Sequence, residues 1–304
     1  MSQPSQTTLT FEEIIAPVTR EEFFERYWNK APLIISRGDR GYYGDLYRLQ
    51  DVDRSIFGDS HCQDDHVSLI PPQGSDEEMT THAPSDLAYD EMYRAFNKGY
   101  TIRFASIQST WSPVARLSAA MCEAFSARVN VNCYLTPASS QGFKIHIDTH
   151  DVFILQTHGA KDWFVYETDD YALPLKTLDT HHTDIRNQYK SPLTDDEVKL
   201  KHRIRLEAGD LLFMPRGVPH KAIAAPGEAS LHLTFGIHPL YWVEYAKAAM
   251  EMLAVHNRSF REPLPVDFVT NPEVAASMSA HFAEALKAAM AQNPSFERTT
   301  ECMV

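Results

Sequence analysis

Hydrophobic and polar positions alternate one by one along residues 128–135. Val129, Val131, Cys133 and Leu135 fall on one side, and Asn130, Asn132 and Tyr134 on the other. A period of two belongs to a β-strand, whose successive side chains point to opposite faces. Residues 152–156 follow as an apolar strand, Gly159-Ala160 turns the chain, and residues 161–166 form the next strand. Residues 204–206, the apolar run after Gly209, and residues 231–235 continue the series, the last with His232 and Thr234 on one face. Residues 33–35 and 100–104 are shorter strands. The stretch 38–86 mixes Gly, Pro, Asp and Ser with short apolar pieces and predicts loops and edge strands.

Helical spacing takes over elsewhere. Thr19-Arg-Glu-Glu22 reads as a capping box that opens a helix carrying Phe23, Phe24 and Tyr27 and ending before Pro32. Residues 87–97 predict a helix closed by Gly99, and residues 113–127 place Val114, Leu117, Met121 and Phe125 on one stripe. From Pro239 onward, Trp242, Tyr245, Ala246, Ala249, Met250 and Leu253 fall at helical spacing. A Pro-rich linker (261–265) follows, then a helix capped by Asn271-Pro272 with Val274, Met278, Phe282, Leu286 and Met290 at four-residue steps. The pattern divides the chain into a β-rich body, 1–238, and a helical segment, 239–304, which either docks on the body or pairs with a second subunit as a homodimer.

The chain has 304 residues, 43% of them hydrophobic, enough for one large domain or one domain with an appendage. No apolar run reaches the ~18–20 residues that span a bilayer. The start, MSQPSQTTLT, is neither a secretory signal nor an Arg-rich transit peptide. Cys62, Cys122, Cys133 and Cys302 are scattered without a C-x-x-C pair, which argues against a zinc ribbon or a disulfide framework. A cytoplasmic protein with no membrane partner is expected. The net charge of −13 speaks against nucleic acid as a main partner and suits a basic peptide or protein.

The chemistry concentrates at His146-Ile147-Asp148. On a strand, residues i and i+2 share a face, so an imidazole and a carboxylate project together. They are two-thirds of the 2-His-1-carboxylate triad, which holds Fe(II) on one side and leaves positions open. A distant His must complete it. Gly209-Asp-Leu-Leu-Phe-Met-Pro-Arg-Gly-Val-Pro-His220, an apolar strand running into a Pro/Gly turn, offers His220 at the head of the next strand. His150 joins the face of His146 and Asp148 only if the strand stays regular. His61, His66, His82, His181 and His182 lie in polar segments and read as solvated.

The pattern N-x-Y-x-T-P-x-x-S-Q-G, then H-x-D, D-V-F-I-L-Q and G-x-K-x-W, running from Asn132 to Trp163, resembles the cupin/Jumonji-C 2-oxoglutarate oxygenases, and among them the ribosomal oxygenases. The looser likeness runs from about Phe11 to Phe235. It implies a double-stranded β-helix (a mainly β jelly roll, as in cupins) with N-terminal helices and a C-terminal helical segment. Residues 1–238 would be the catalytic domain. The resemblance implies Fe(II) on His146, Asp148 and His220, 2-oxoglutarate as co-substrate with O2, and Lys161 on its distal carboxylate, aided by Tyr134 and Asn132. Lysine suits that place as a compact charge with three donors. Release of succinate and CO2 would accompany hydroxylation of a peptidyl side chain. Asp148 at the second ligand position argues against halogenation.

Other readings stay open. A free amino acid or small natural-product precursor is an alternative substrate, and N-demethylation an alternative outcome. A metal cupin that does not use 2-oxoglutarate usually shows H-x-H with a following Glu, and neither is present; a non-catalytic binding cupin is disfavoured by the intact triad. About 65 residues follow Pro239, too few for the helical region plus winged helix of ribosomal oxygenases, so a small or flexible substrate is expected. It would be held by the loop 139–144 and by the long polar segment 168–203 lying over the barrel mouth.

Overall fold

The computed structural model describes residues 9–56, 66–168, 173–174 and 193–292. Most of the polar segment expected over the barrel mouth, residues 169–172 and 175–192, lies outside them, as do His61, His181 and His182. Two compact units separate at residues 238 and 239.

In the first unit the strands are β1 (Leu33–Ile35), β2 (Val67–Ile70), β3 (Thr80–His82), β4 (Thr101–Phe104), β5 (Arg128–Thr136), β6 (Asp151–His158), β7 (Ala160–Tyr166), β8 (Leu200–Glu207), β9 (Leu211–Met214), β10 (His220–Ala224) and β11 (Ser230–His238). They form an eight-stranded sheet in the order β1-β9-β6-β11-β5-β4-β2-β3 and a three-stranded sheet in the order β10-β7-β8. Every pairing between these strands is antiparallel. The helices of this unit are α1 (Phe11–Ile15), α2 (Arg20–Arg26), α3 (Val52–Ile56), α4 (Tyr89–Asn97) and α5 (Ser112–Phe125). The Thr19 hydroxyl caps α2 as expected, accepting from the Glu22 N–H. The complete capping box belongs to the preceding α1, between Thr10 and Glu13, where the chain carries the same T-x-x-E spacing.

Alternation explains how one sheet serves two cores. Phe153 and Leu155 of β6, Leu211 and Phe213 of β9, Val131 and Cys133 of β5, and Leu231, Leu233, Phe235 and Ile237 of β11 face a core shared with Phe11, Phe23 and the Leu117 stripe of α5. Their neighbours Val152, Ile154, Leu212 and Met214 face the small sheet and meet Trp163, Val165, Ile204 and Leu206. On β5 and β11 the same inward positions are polar: Asn132, Tyr134, His232 and Thr234. The barrel interior is therefore apolar under β6 and β9 and polar under β5 and β11.

Gly159 makes possible the tight turn by which the chain passes from β6 of the large sheet to β7 of the small one. Its φ is +64°, and a Cβ there would meet the Ala229 carbonyl oxygen at 2.1 Å.

The second unit holds α6 (Trp242–His256) and α7 (Pro272–Gln292). The Asn271 side chain caps α7, accepting from the Glu273 N–H. An apolar groove of about 960 Å³ runs between them, lined by Met250, Phe260, Leu264, Met278 and Phe282. Among the described residues no helix is long and apolar enough to cross a membrane.

Phe153 is fully buried and touches the rings of Phe11, Phe23, Phe125 and Phe213. Phe153→Ala should cost about 3–5 kcal/mol of stability, measured as a lowered midpoint in urea unfolding with an unchanged slope.

Candidate metal centre

The strand expected to carry His146 and Asp148 is broken there. Regular pairing on β6 begins at Asp151, and the chain before it makes only isolated bridges, Ile145 with Leu193 and His146 with His220. The shared face survives for a different reason. His146 donates its N–H to the His220 carbonyl at 3.1 Å, and His220 returns the bond to His146 at 2.9 Å. This pair of bonds places two imidazoles from distant parts of the chain side by side, with ring centroids 4.3 Å apart.

Each imidazole is held in one tautomer. His146 Nδ1 lies 2.9 Å from the Lys144 carbonyl oxygen and His220 Nδ1 2.9 Å from that of Val218. A carbonyl can only accept, so each Nδ1 carries the hydrogen and each Nε2 presents a lone pair. Those Nε2 atoms face Asp148, at 4.0 Å from Oδ1 for His146 and 3.7 Å from Oδ2 for His220. The three potential ligand atoms lie within 4.8 Å of one another. Burial alone would raise the Asp148 pKa, yet His220, His146, His150 and His238 together lower it. His220, 5% exposed, has its pKa pushed down to about 4, first by burial and then by His146. At neutral pH His220 is therefore a neutral imidazole and Asp148 a carboxylate, and with His146 they are the donor types that a first-row divalent metal takes.

A cavity of about 70 Å³ opens beside the triad, with Phe143, Tyr134 and Lys161 among its lining groups. Lys161 is 5% exposed and makes no ion pair with any described residue. Its ammonium donates to the Thr136 hydroxyl at 2.9 Å, and Thr101 donates to Thr136 at 3.1 Å. Burial pushes the lysine pKa down to about 7. The Trp163 indole N–H and His232 Nδ1 are also buried without a hydrogen-bond partner, and both residues line the cavity. A buried cation beside unsatisfied polar atoms is costly as it stands and fits an anionic, hydrogen-bonding ligand.

Tyr134 lines this cavity, stacked on His232 with centroids 4.9 Å apart, and burial pushes its phenol up to about 12. Asn132 is not among the lining residues. Its side-chain oxygen accepts from the Ser106 N–H at 3.4 Å. Gly142 and Phe143, of the loop 139–144, reach the lining. His150 points elsewhere because the strand is irregular: it stacks on His238, with centroids 4.6 Å apart. Thr136 has no assigned role in the sequence reading, although it continues the i, i+2 series of Asn132 and Tyr134. Trp163 shares the β7 face of Lys161, two residues on, whereas Thr101 and His232 needed the sheet register to reach the cavity.

The fold and this site define a JmjC domain: residues 106–245 match the JmjC domain family. The chain is 32% identical over 278 residues to ribosomal oxygenase 1 of Gallus gallus, covering 88% of this chain and 44% of that protein. It is 29% identical over 264 residues to the bifunctional lysine-specific demethylase and histidyl-hydroxylase NO66 of Dictyostelium discoideum, covering 84% of this chain and 49% of that one. The chain thus spans about half the length of these curated relatives. Among solved structures, YcfD, a ribosomal oxygenase from Escherichia coli in complex with cobalt and 2-oxoglutarate, shares the fold, with a TM-score of 0.56 and 16% identity over 93% of this chain and 69% of that one.

The buried lysine makes stability depend on pH. Its folded pKa of about 7 lies below the ordinary value of 10.5, so between these values the unfolded chain binds the extra proton. Stability should therefore rise with pH from about 7 towards 10 in the ligand-free protein. Lys161→Met should remove that rise, as measured by urea midpoints across the range.

Proposed function

We propose that this protein is an Fe(II)- and 2-oxoglutarate-dependent oxygenase that hydroxylates a C–H bond of a peptidyl amino-acid side chain. The observation that carries the reading is the convergence of His146, Asp148 and His220 next to a buried lysine that pairs with no carboxylate among the described residues. In this reading the two imidazole Nε2 atoms and the Asp148 carboxylate would hold Fe(II). With 2-oxoglutarate and O2, such a centre supplies hydroxylation coupled to decarboxylation, with succinate and CO2 as co-products. Lys161 and Thr136 receive the distal carboxylate of the co-substrate. Tyr134, kept protonated by burial, donates from the neighbouring wall, aided by Asn132, which precedes it by two residues on the same face of β5. Phe143 and Trp163 keep water from the space between.

The names of the relatives, ribosomal oxygenase and histidyl-hydroxylase, support a protein side chain as the substrate. The NO66 name also includes lysine demethylation. The same centre would release formaldehyde from an N-methyl group, so the product decides between the two. The partner reading extends to the second unit. Val274, Met278, Phe282 and Leu286 form one stripe of α7, and Phe282 is 49% exposed. We assign this stripe to a homodimer contact, and a monomer by light scattering at working concentration would overturn that assignment.

Turnover with Fe(II), 2-oxoglutarate and a peptide library should yield succinate and a peptide one oxygen heavier. His146→Ala and His220→Ala should each abolish metal binding and turnover. Lys161→Ala should raise the KM for 2-oxoglutarate by about ten- to a hundredfold, since a charge-assisted bond contributes about 1.5–3 kcal/mol. An unchanged KM would remove Lys161 from the site.

A further inference from the structure

Asp151 is an anomaly of the barrel. It opens β6 opposite Ile237 of β11, is wholly buried, and falls in phase with Phe153 and Leu155, whose face of the strand is apolar. A carboxylate there weakens a core unless it is bonded. One oxygen, Oδ1, accepts the backbone N–H of Arg216 at 3.1 Å, while Oδ2 has no hydrogen-bond partner. Burial raises its pKa to about 6, although the Arg216 N–H and guanidinium oppose the rise. The carboxylate therefore contributes little to the core around it.

Its bond falls at an informative place. Arg216 belongs to the Pro215–Pro219 turn that delivers His220. That turn is stitched to residues 146–151 at three levels: the reciprocal bonds of His146 and His220, the Gly217 N–H on the Asp148 carbonyl at 2.9 Å, and the Asp151 carboxylate on Arg216. Two levels use backbone alone. The third uses a side chain, and it clamps the far end of the turn, where Met214 leaves β9 beside Val152. A shift of the turn at that end would carry the Val218 carbonyl with it. That carbonyl fixes the tautomer and aim of His220.

We propose that Asp151 is a positioning residue: by holding the Arg216 amide it seats the turn, and through the turn it sets His220 against Asp148 in the geometry that accepts the metal. The inference rests on the metal reading of the triad. Groups that orient metal ligands typically change metal affinity by about 10–100-fold when removed.

The test is titration of the metal-free full chain with Co(II), read by its visible absorption. Asp151→Val keeps a strand-compatible, similarly sized side chain without the acceptor. Asp151→Asn keeps an oxygen that can accept from Arg216. D151V should bind Co(II) about 10–100-fold more weakly, with an altered absorption band, while D151N restores wild-type affinity to within about threefold. Should D151V fail to fold by circular dichroism, D151A takes its place in the titration. Equal affinity and spectrum for wild type and the loss variant would overturn the proposal, as would loss of folding in both D151V and D151A. Wild type and His220→Ala separate the two readings. If wild type binds no Co(II), or H220A binds it equally well, the metal reading itself fails. If wild type binds, H220A does not, and D151V matches wild type, only the role of Asp151 fails.

Discussion

The two hydrogen bonds exchanged between the backbones of His146 and His220 are the constraint on which the site depends. They join segments more than seventy residues apart in sequence, where His146 lies outside any regular strand ladder and His220 opens β10. Side-chain direction there is set by local hydrogen bonds. Each imidazole is turned by a carbonyl two residues before it in the chain, Lys144 for His146 and Val218 for His220. The result is a pair of lone pairs aimed at one carboxylate, prepared before any metal arrives. Such preparation lowers the reorganisation that binding would otherwise require.

The same body of strands separates stability from chemistry. The outer face of the large sheet packs on α1, α2 and α5 through aromatic and aliphatic side chains, with Phe23 and Phe153 at the centre. The inner face is divided, apolar towards β9 and polar towards β5. Changes of the polar inner positions therefore disturb few of the contacts that hold the helices to the sheet. The buried Lys161 and the unpaired atoms of Trp163 and His232 are concentrated on the divided inner face. There they cost stability in the empty protein and favour an anionic ligand, the trade that binding sites commonly make.

How much was legible in the sequence differs by residue. The alternation of 128–135, the apolar run at 152–156 and the α5 stripe are local patterns with a fixed period, and each element forms within a few residues of its expected bounds. His146, Asp148 and His220 could be picked out because the residue types are rare in combination and their surrounding motifs are distinctive. The regular strand expected beneath H-x-D was wrong, because tertiary hydrogen bonds from the 215–220 turn compete with strand pairing at that point. His150 fell out of phase for that reason and went to His238 instead.

By itself, then, the sequence determined which faces are apolar, where the chain turns, and which side chains could ligate a metal or meet a carboxylate. These follow from local periodicity and residue chemistry. The tertiary structure alone decided that the Thr136 hydroxyl accepts from both Lys161 and Thr101, that Asn132 meets the Ser106 N–H instead of lining the cavity, and that Asp151 accepts from the turn that precedes His220. Those relations depend on the register between β4 and β5, on the crossing from the small sheet to the large one, and on a turn closing onto a distant strand. Contacts of that kind are set by how the sheets pack, and no period along the chain records them.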